Sequence, residues 1–454
     1  MDKLESTYSE LQQYKSLTPG SRNLYGQARS FLPGGDTRTT VFWHPYPVFL
    51  DSGNGQWVKD VDDRDRIDFA NNFTSLILGH RNPAILEAIR LQADTTIGGY
   101  GPNKLQIKLA ELLCDRVPSL HSVRFTASGT EAVMNCVRAA RTATGRRMVA
   151  KFEGGYHGTS DTLAASVRPP LNLCGPANRP STVPEYPGPQ HAAMNDLLIL
   201  PYNDPDSVKE LIREHRFELA AVVVEPVLGT SGMIPSNQGF LQSLRQVTEQ
   251  YGIILIFDEV ISLRLEPGGA QAFYGIEPDL TAMGKFIGGG VPIGAFGGNS
   301  DIMSLFDPTK NEFSDRPIAT LPHGGSFNGN PLAMAAGIAT MNQLTQQTYD
   351  HINNLGKELR GKVQDLINSK EIPAQVTGIG SLFGLHFTKH PINGYRELAT
   401  IDTSLRHTVF LGLLNEGILL ASQLIGCISS PMMSEAVDSF VDALGTVVER
   451  NKLP

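Results

Sequence analysis

The sequence predicts an α/β protein with a mostly parallel, seven-stranded sheet in a large domain and a smaller α+β domain at the C-terminal end. Three observations carry this expectation. Short apolar runs recur near residues 123, 148, 198, 222, 255, 282 and 295, with helical stretches between most of them, the alternation that a parallel sheet flanked by helices requires. The run Ile253 to Phe257 is short and rich in β-branched side chains, as a strand buried on both faces should be. Beyond Leu332 the pattern changes to helices with a few short strands. The expected division is an N-terminal segment over 1–60, a large domain over 61–330 and a small domain over 331–454.

Taken in order, residues 1–30 read as a polar helix and a linker, broken by Pro33, Gly34 and Gly35 ahead of Arg38. Val48 to Ala70 alternates as a small antiparallel meander, and Pro83 to Ala93 as a helix, followed by a glycine-rich connection over Gly98 to Gly101. Val123 to Phe125 reads as a strand, Ser128, Gly129 and Thr130 as a turn, and Glu131 to Arg141 as a helix with Val133, Met134, Val137 and Ala140 at helical spacing. A helix start after a glycine-containing turn offers free N–H groups and a positive dipole end, where a phosphate can sit; Ser128 can equally serve as a plain helix cap. Arg147 to Phe152 is the next strand, ending in Gly154, Gly155, Tyr156, His157 and Gly158, with His157 read as a structural residue satisfying loop carbonyls.

Residues 165–195 are rich in Pro, Gly, Asn and Ser and read as a long surface loop of the kind that forms lids or subunit contacts. Strands resume at Leu197 to Leu200 and at Ala220 to Val224, the latter ending on Glu225. The run to Phe257 ends on Asp258 and Glu259; a second, Leu280 to Met283, ends on Gly284 and Lys285, ahead of Gly288 to Gly290. An acid and a lysine thus stand at the carboxyl ends of buried strands, the edge where open parallel sheets bind ligands. The pair suits pyridoxal phosphate: a lysine amine condenses with the cofactor's aldehyde, and a carboxylate keeps the pyridine nitrogen protonated. A solvated surface lysine is the plainer alternative. The C-terminal part reads as helices over Leu332 to Leu344, Tyr349 to Asn368 and Ile401 to Asn415, strands over Gly378 to Phe387 and Ile418 to Ala421, and a last helix capped by Ser434.

At 454 residues and 41% hydrophobic, the chain can bury a large core, and 19% charged residues argue against disorder. No apolar stretch is long enough for a membrane helix. A net charge of -8 with no Lys/Arg cluster offers nothing to nucleic acid. Cys114, Cys136, Cys174 and Cys427 lie far apart with no metal-ligand spacing, so no metal is expected and the cysteines are expected to be reduced thiols. The charged N-terminus shows no export or transit signal, which points to the cytoplasm.

The strings DEV, GGAQ, PDLTAMGKFIGGGVPIGAFGG, ASGTEA, GGYHG and HGGSFNGNP resemble those of class III (fold-type I) pyridoxal-phosphate aminotransferases, over about Pro33 to Pro431. Within them the chain is similar to the glutamate-1-semialdehyde aminomutase branch, with motifs like those of β-amino-acid (β-phenylalanine) aminotransferases. The resemblance implies that Lys285 forms the Schiff base, Asp258 holds the ring nitrogen, Val260 and Tyr156 cover the ring faces, and Ser128, Gly129 and Thr130 bind the phosphate. Ser326, at a position where the family has threonine, would reach the phosphate of a neighbouring subunit, which implies a homodimer with active sites at the subunit interface. Arg38, in a PGG-x-T-R-like segment, would grip the substrate carboxylate. Gln423 stands where those transaminases carry a second arginine, a departure that argues against a dicarboxylate acceptor such as 2-oxoglutarate. Thr230 departs from the asparagine of the aminomutases. The implied activity is amino transfer between a β-amino acid or related apolar amine and a keto acid, with an aminomutase or amino-acid racemase as the alternative.

Overall fold

The computed structural model describes residues 3–311 and 320–452, and the chain divides into two compact units. One comprises Met1–Asn82, Asp350–Pro391 and Thr400–Pro454; the other comprises Pro83–Tyr349 and Ile392–Ala399. This differs from three consecutive domains over 1–60, 61–330 and 331–454, and the strand pairing and helix packing explain why. Strand Ile418–Leu419 pairs in parallel with Asp65–Asp68, joining N-terminal and C-terminal residues in the first unit. Helix Pro331–Gln343 packs on Pro83–Ala93 and Lys104–Cys114, which keeps it in the second.

The second unit is built on a seven-stranded sheet with all seven expected strands. Across the sheet they run Ser122–Thr126, Gly294–Gly298, Leu280–Gly284, Ile254–Asp258, Leu219–Val224, Met148–Phe152 and Leu197–Leu200. Pairing is parallel except on both sides of Gly294–Gly298, the one reversed strand of this sheet. Both faces are covered, so the central strands can be apolar throughout: all of Leu219–Val224 is buried. Side chains alternate between two cores. Val223 and Ile256 pack with Val133 and Val137 of helix Gly129–Thr144, while Val222, Val224, Leu255 and Phe257 pack with Leu211, Phe240 and Leu244 on the opposite face. Each such buried aliphatic or aromatic side chain contributes about 1.5–3 kcal/mol. Met134, expected on the buried face of its helix, turns outward and is 36% exposed.

The segment over 165–195 is less superficial than its composition suggests. Ala165, Ser166, Val167 and Cys174 are buried, Ser166 N–H donates to the Val183 carbonyl at 2.7 Å, and only the short helices Leu171–Leu173 and His191–Asn195 interrupt it. Arg396, in the short helix Tyr395–Ala399, pins this segment by donating to the carbonyls of Cys174, Gly175 and Pro176 and to the Glu153 carboxylate.

In the first unit, the expected meander is present as Leu50–Asn54, Trp57–Asp60 and Asp65–Asp68. A separate antiparallel sheet is formed by Gln375–Thr377, Leu382–His386 and Ile425–Cys427. The last helix, Ser434–Asn451, buries Val437, Phe440, Leu444, Val447 and Val448, and the Phe440 ring stands edge-on to Phe69 and Phe383. Its N-cap is Met433; Ser434 is the first helical residue, and its hydroxyl donates to Glu358 at 3.2 Å instead of capping the helix.

Candidate active site

The parallel register brings the informative strand ends of the second unit to one edge. Phe257 pairs with Val224 and Asp258 with Ala282, so Asp258 and Glu225 end adjacent strands and Lys285 follows the strand beyond. Asp258 is 5% exposed; one carboxylate oxygen accepts the Val260 N–H at 3.1 Å and the other lies 2.8 Å from His157 Nδ1. His157 is buried, and burial lowers its pKa against the pull of Asp258, which keeps the imidazole neutral at pH 7 with Nδ1–H donating to the carboxylate. Its Nε2 is buried without a partner. The role read from sequence for His157, satisfying loop carbonyls, is therefore replaced by a direct hold on Asp258.

Lys285 begins the single 3-10 turn Lys285–Gly288, directly after strand Leu280–Gly284, and is half-buried with φ 56. A left-handed backbone on a long side chain is strained by about 1–2 kcal/mol and is held there by its surroundings. Its charge reaches Glu225, a residue not singled out from the sequence although it too ends a buried strand. Burial pushes the Glu225 carboxyl up to about 8, with the Asp258 charge adding to the effect and the N–H groups of Tyr156 and Gly229 and the Lys285 charge opposing it. Glu225 is thus held well above an ordinary carboxyl.

The turn before helix Gly129–Thr144 lies in the same place. A Cβ on Gly158, at φ 85, would run into the Thr130 hydroxyl and backbone, so glycine is needed there, and one on Gly129 would press on a Val260 methyl at 3.0 Å, so these three loops meet closely. Ser128 is the N-cap: its hydroxyl oxygen accepts Glu131 N–H at 3.3 Å, while the Glu131 carboxylate accepts Ala127 N–H at 2.7 Å. Capping and ligand binding are compatible here, because the Ser128 O–H remains a donor. Tyr156 is 37% exposed, its N–H donates to Glu225 at 2.7 Å, and the Asp258 and Glu225 charges add to the burial that raises its phenol pKa. A helix N-terminus for a phosphate, a buried carboxylate for a ring nitrogen, an aromatic beside it and a lysine amine fit pyridoxal phosphate.

Three further candidates stand elsewhere in the chain. Ser326 is exposed in the turn that precedes helix Pro331–Gln343. Arg38 and Gln423 belong to the first unit. Arg38 is exposed and its Nη1 donates to Asn72 Oδ1 at 2.8 Å, on the wall of a cavity of about 340 Å³. Gln423 has its Oε1 buried without a partner, and its neighbour Ser422 is the residue that lines that cavity; Leu424, at φ 60, sits in a tight turn closed by its N–H to the Ala421 carbonyl. Among the described residues no cluster could hold a metal ion, and no helix is long and apolar enough to cross a membrane.

The class-III aminotransferase family matches residues 41–444. The chain is 37% identical over 433 residues to a glutamate-1-semialdehyde 2,1-aminomutase of Methanothermobacter thermautotrophicus, covering 94% of this chain and 98% of that relative. It is 36% identical over 436 residues to a β-phenylalanine transaminase of Variovorax paradoxus, covering 96% and 94%. An ω-transaminase from Sphaerobacter thermophilus superimposes with a TM-score of 0.90 at 43% identity, covering 95% of this chain and 98% of that one. A strand edge with this acid, this lysine and this helix start, together with a match over nearly the whole length, makes the chain a member of the class-III aminotransferases, the fold-type I enzymes that work with pyridoxal phosphate.

Proposed function

We propose that the enzyme moves an amino group between a β-amino acid, or a related apolar amine, and a keto acid. The similarity to a β-phenylalanine transaminase carries this reading, and a cavity within the first unit has a lining of matching chemistry. Leu32, Val41, Trp43, Phe49, Phe73 and Leu420 make its wall apolar, and Arg38 adds a guanidinium that suits a carboxylate. Asn72 and Phe73 on the same wall adopt φ 47 and φ 53, an uncommon backbone for a bulky residue that is anchored at Asn71 by the Asp68 carboxylate and the Cys427 carbonyl.

Bound pyridoxal phosphate supplies an electron-poor ring that draws electrons from the donor's reacting carbon. In this reading the Lys285 amine serves as base and then acid in a 1,3-proton shift, taking a proton from that carbon and returning it on the far side of the amine nitrogen. Asp258 keeps the ring nitrogen protonated, and His157 holds Asp258 in place. Val260 and Tyr156 cover the ring faces, and Ser128, Gly129 and Thr130 hold the phosphate with Thr130 seated against Gly158. Arg38 grips the donor's carboxylate.

Intramolecular rearrangement is the second reading, supported by the aminomutase relative. Mixing the holoenzyme with β-phenylalanine and no acceptor separates the two. Amino transfer gives one equivalent of keto product and stops; an isomerised amino acid accumulating without keto product would sink the transaminase reading.

We also propose a cytoplasmic homodimer in which Ser326 serves the partner's phosphate site. Phe327 and Ile97 are 71% and 64% exposed, on loops tied together by Asn330 donating to the Ile97 carbonyl, and a second copy would cover them. Sedimentation should give a dimer at assay concentration, and a fully active monomer would contradict it. Among the described residues no cysteine is in a disulfide, as suits a reducing compartment.

A further inference from the structure

Lys151 is an anomaly in a strand buried on both faces. It stands in Met148–Phe152 among Val149, Ala150 and Phe152, is 0% exposed, and donates to the carbonyls of Gly155 at 2.6 Å, Ala165 at 2.6 Å and Leu163 at 3.3 Å. A strand that needed only packing would carry an aliphatic residue here. Glu225 ends the neighbouring strand and accepts Tyr156 N–H at 2.7 Å and Gly229 N–H at 3.0 Å. Gly155 C=O and Tyr156 N–H belong to one peptide group. That planar unit is therefore held at its oxygen by an ammonium and at its nitrogen by a carboxyl. Fixing both ends fixes its plane, and with it the direction in which the Tyr156 side chain leaves the backbone. One residue further on stands His157, 2.8 Å from Asp258. Burial pulls Lys151 down to about 8, opposed by the charges of Glu225 and Glu185.

We propose that Lys151 and Glu225 form a clamp on the Gly155–Tyr156 peptide that sets Tyr156 and His157 against the cofactor, making both of them positioning residues for the reaction. The clamp rests on the reading of Tyr156 and His157 as parts of the cofactor site. It joins side chains from two strands through a main-chain group, so the two contributions are not independent.

The test compares Lys151→Met, Glu225→Met, their double variant, and Glu225→Gln, which keeps one acceptor oxygen. Amide hydrogen exchange over residues 154–158 is read in the apoenzyme, and the induced circular dichroism of bound cofactor and the kinetics in the holoenzyme. Each Met variant should raise exchange at Tyr156 about 10-fold or more and lower kcat roughly 10-fold with KM changed less than about 3-fold, with Glu225→Gln intermediate. The double variant should lie within about 2-fold of the worse single one, because both act through one peptide. Losses that multiply, or unchanged exchange at Tyr156 in Glu225→Met, overturn the clamp. If Lys151→Met does not accumulate as folded protein, the comparison of Glu225→Met with Glu225→Gln decides by the same exchange. Tyr156→Ala separates the two levels: unchanged dichroism in that variant defeats the placing of Tyr156, whereas altered dichroism there with none in the Glu225 variants defeats the clamp alone.

Discussion

Lys285→Ala is expected to leave a folded chain that retains pyridoxal phosphate and turns over at least ~10⁴-fold more slowly. Retention follows from what the substitution leaves untouched: the phosphate turn at Ser128 to Thr130, the Asp258 carboxylate and the Tyr156 loop. Stability should change little, since Lys285 is half-buried and alanine meets the same left-handed strain at φ 56. The loss should therefore fall on proton transfer, in kcat rather than in cofactor binding. Visible absorbance of the desalted protein and the rate of keto product formation check both halves. Substantial turnover in this variant would remove Lys285 from the reaction.

Asp258→Asn is the second large effect, expected to lower kcat about 10²–10³-fold. Asparagine keeps the shape and can still accept the Val260 N–H, so the strand end should stay in place. What goes is the negative charge, and with it the reason for a ring nitrogen to keep its proton. His157 can accommodate the change, because its Nε2 has no partner and the proton can move to that nitrogen while Nδ1 accepts from the new amide. Glu225 should respond as well: burial is the main cause of its raised pKa and the Asp258 charge the second, so its pKa should fall part of the way and stay above that of an ordinary carboxyl. A kcat within a few-fold of the parent would mean that the carboxylate does not act on the ring.

The parts that were legible in the sequence are those whose signal is local. The central strands of the large sheet could be read because burial on both faces demands apolar runs, and Asp258 and Lys285 could be read because each ends such a run. Helix Lys104–Cys114 went unread despite a local signal: Asn103 caps it through Leu105 and Gln106, and Leu109 and Leu113 share its buried face. The division into units depends on Ile418–Leu419 pairing with Asp65–Asp68, a contact across most of the chain that no window of sequence contains. The same holds for the grip of Lys151 and Glu225 on one peptide, although a lysine inside the run Met148–Phe152 was a visible anomaly. Gln423 was placed by resemblance to the transaminases, and in the structure its neighbour Ser422 is the residue on the cavity wall. His157 shows the limit of composition: a histidine between glycines has no preferred partner until the fold brings Asp258 to it.

The most direct test of the site is reductive trapping of the holoenzyme followed by peptide mapping. Borohydride should fix the cofactor to the peptide containing Lys285, with one cofactor per chain and none on the peptide containing Lys151. Cofactor fixed to Lys151, or to any lysine other than Lys285, would contradict the assignment of this strand edge as the catalytic site.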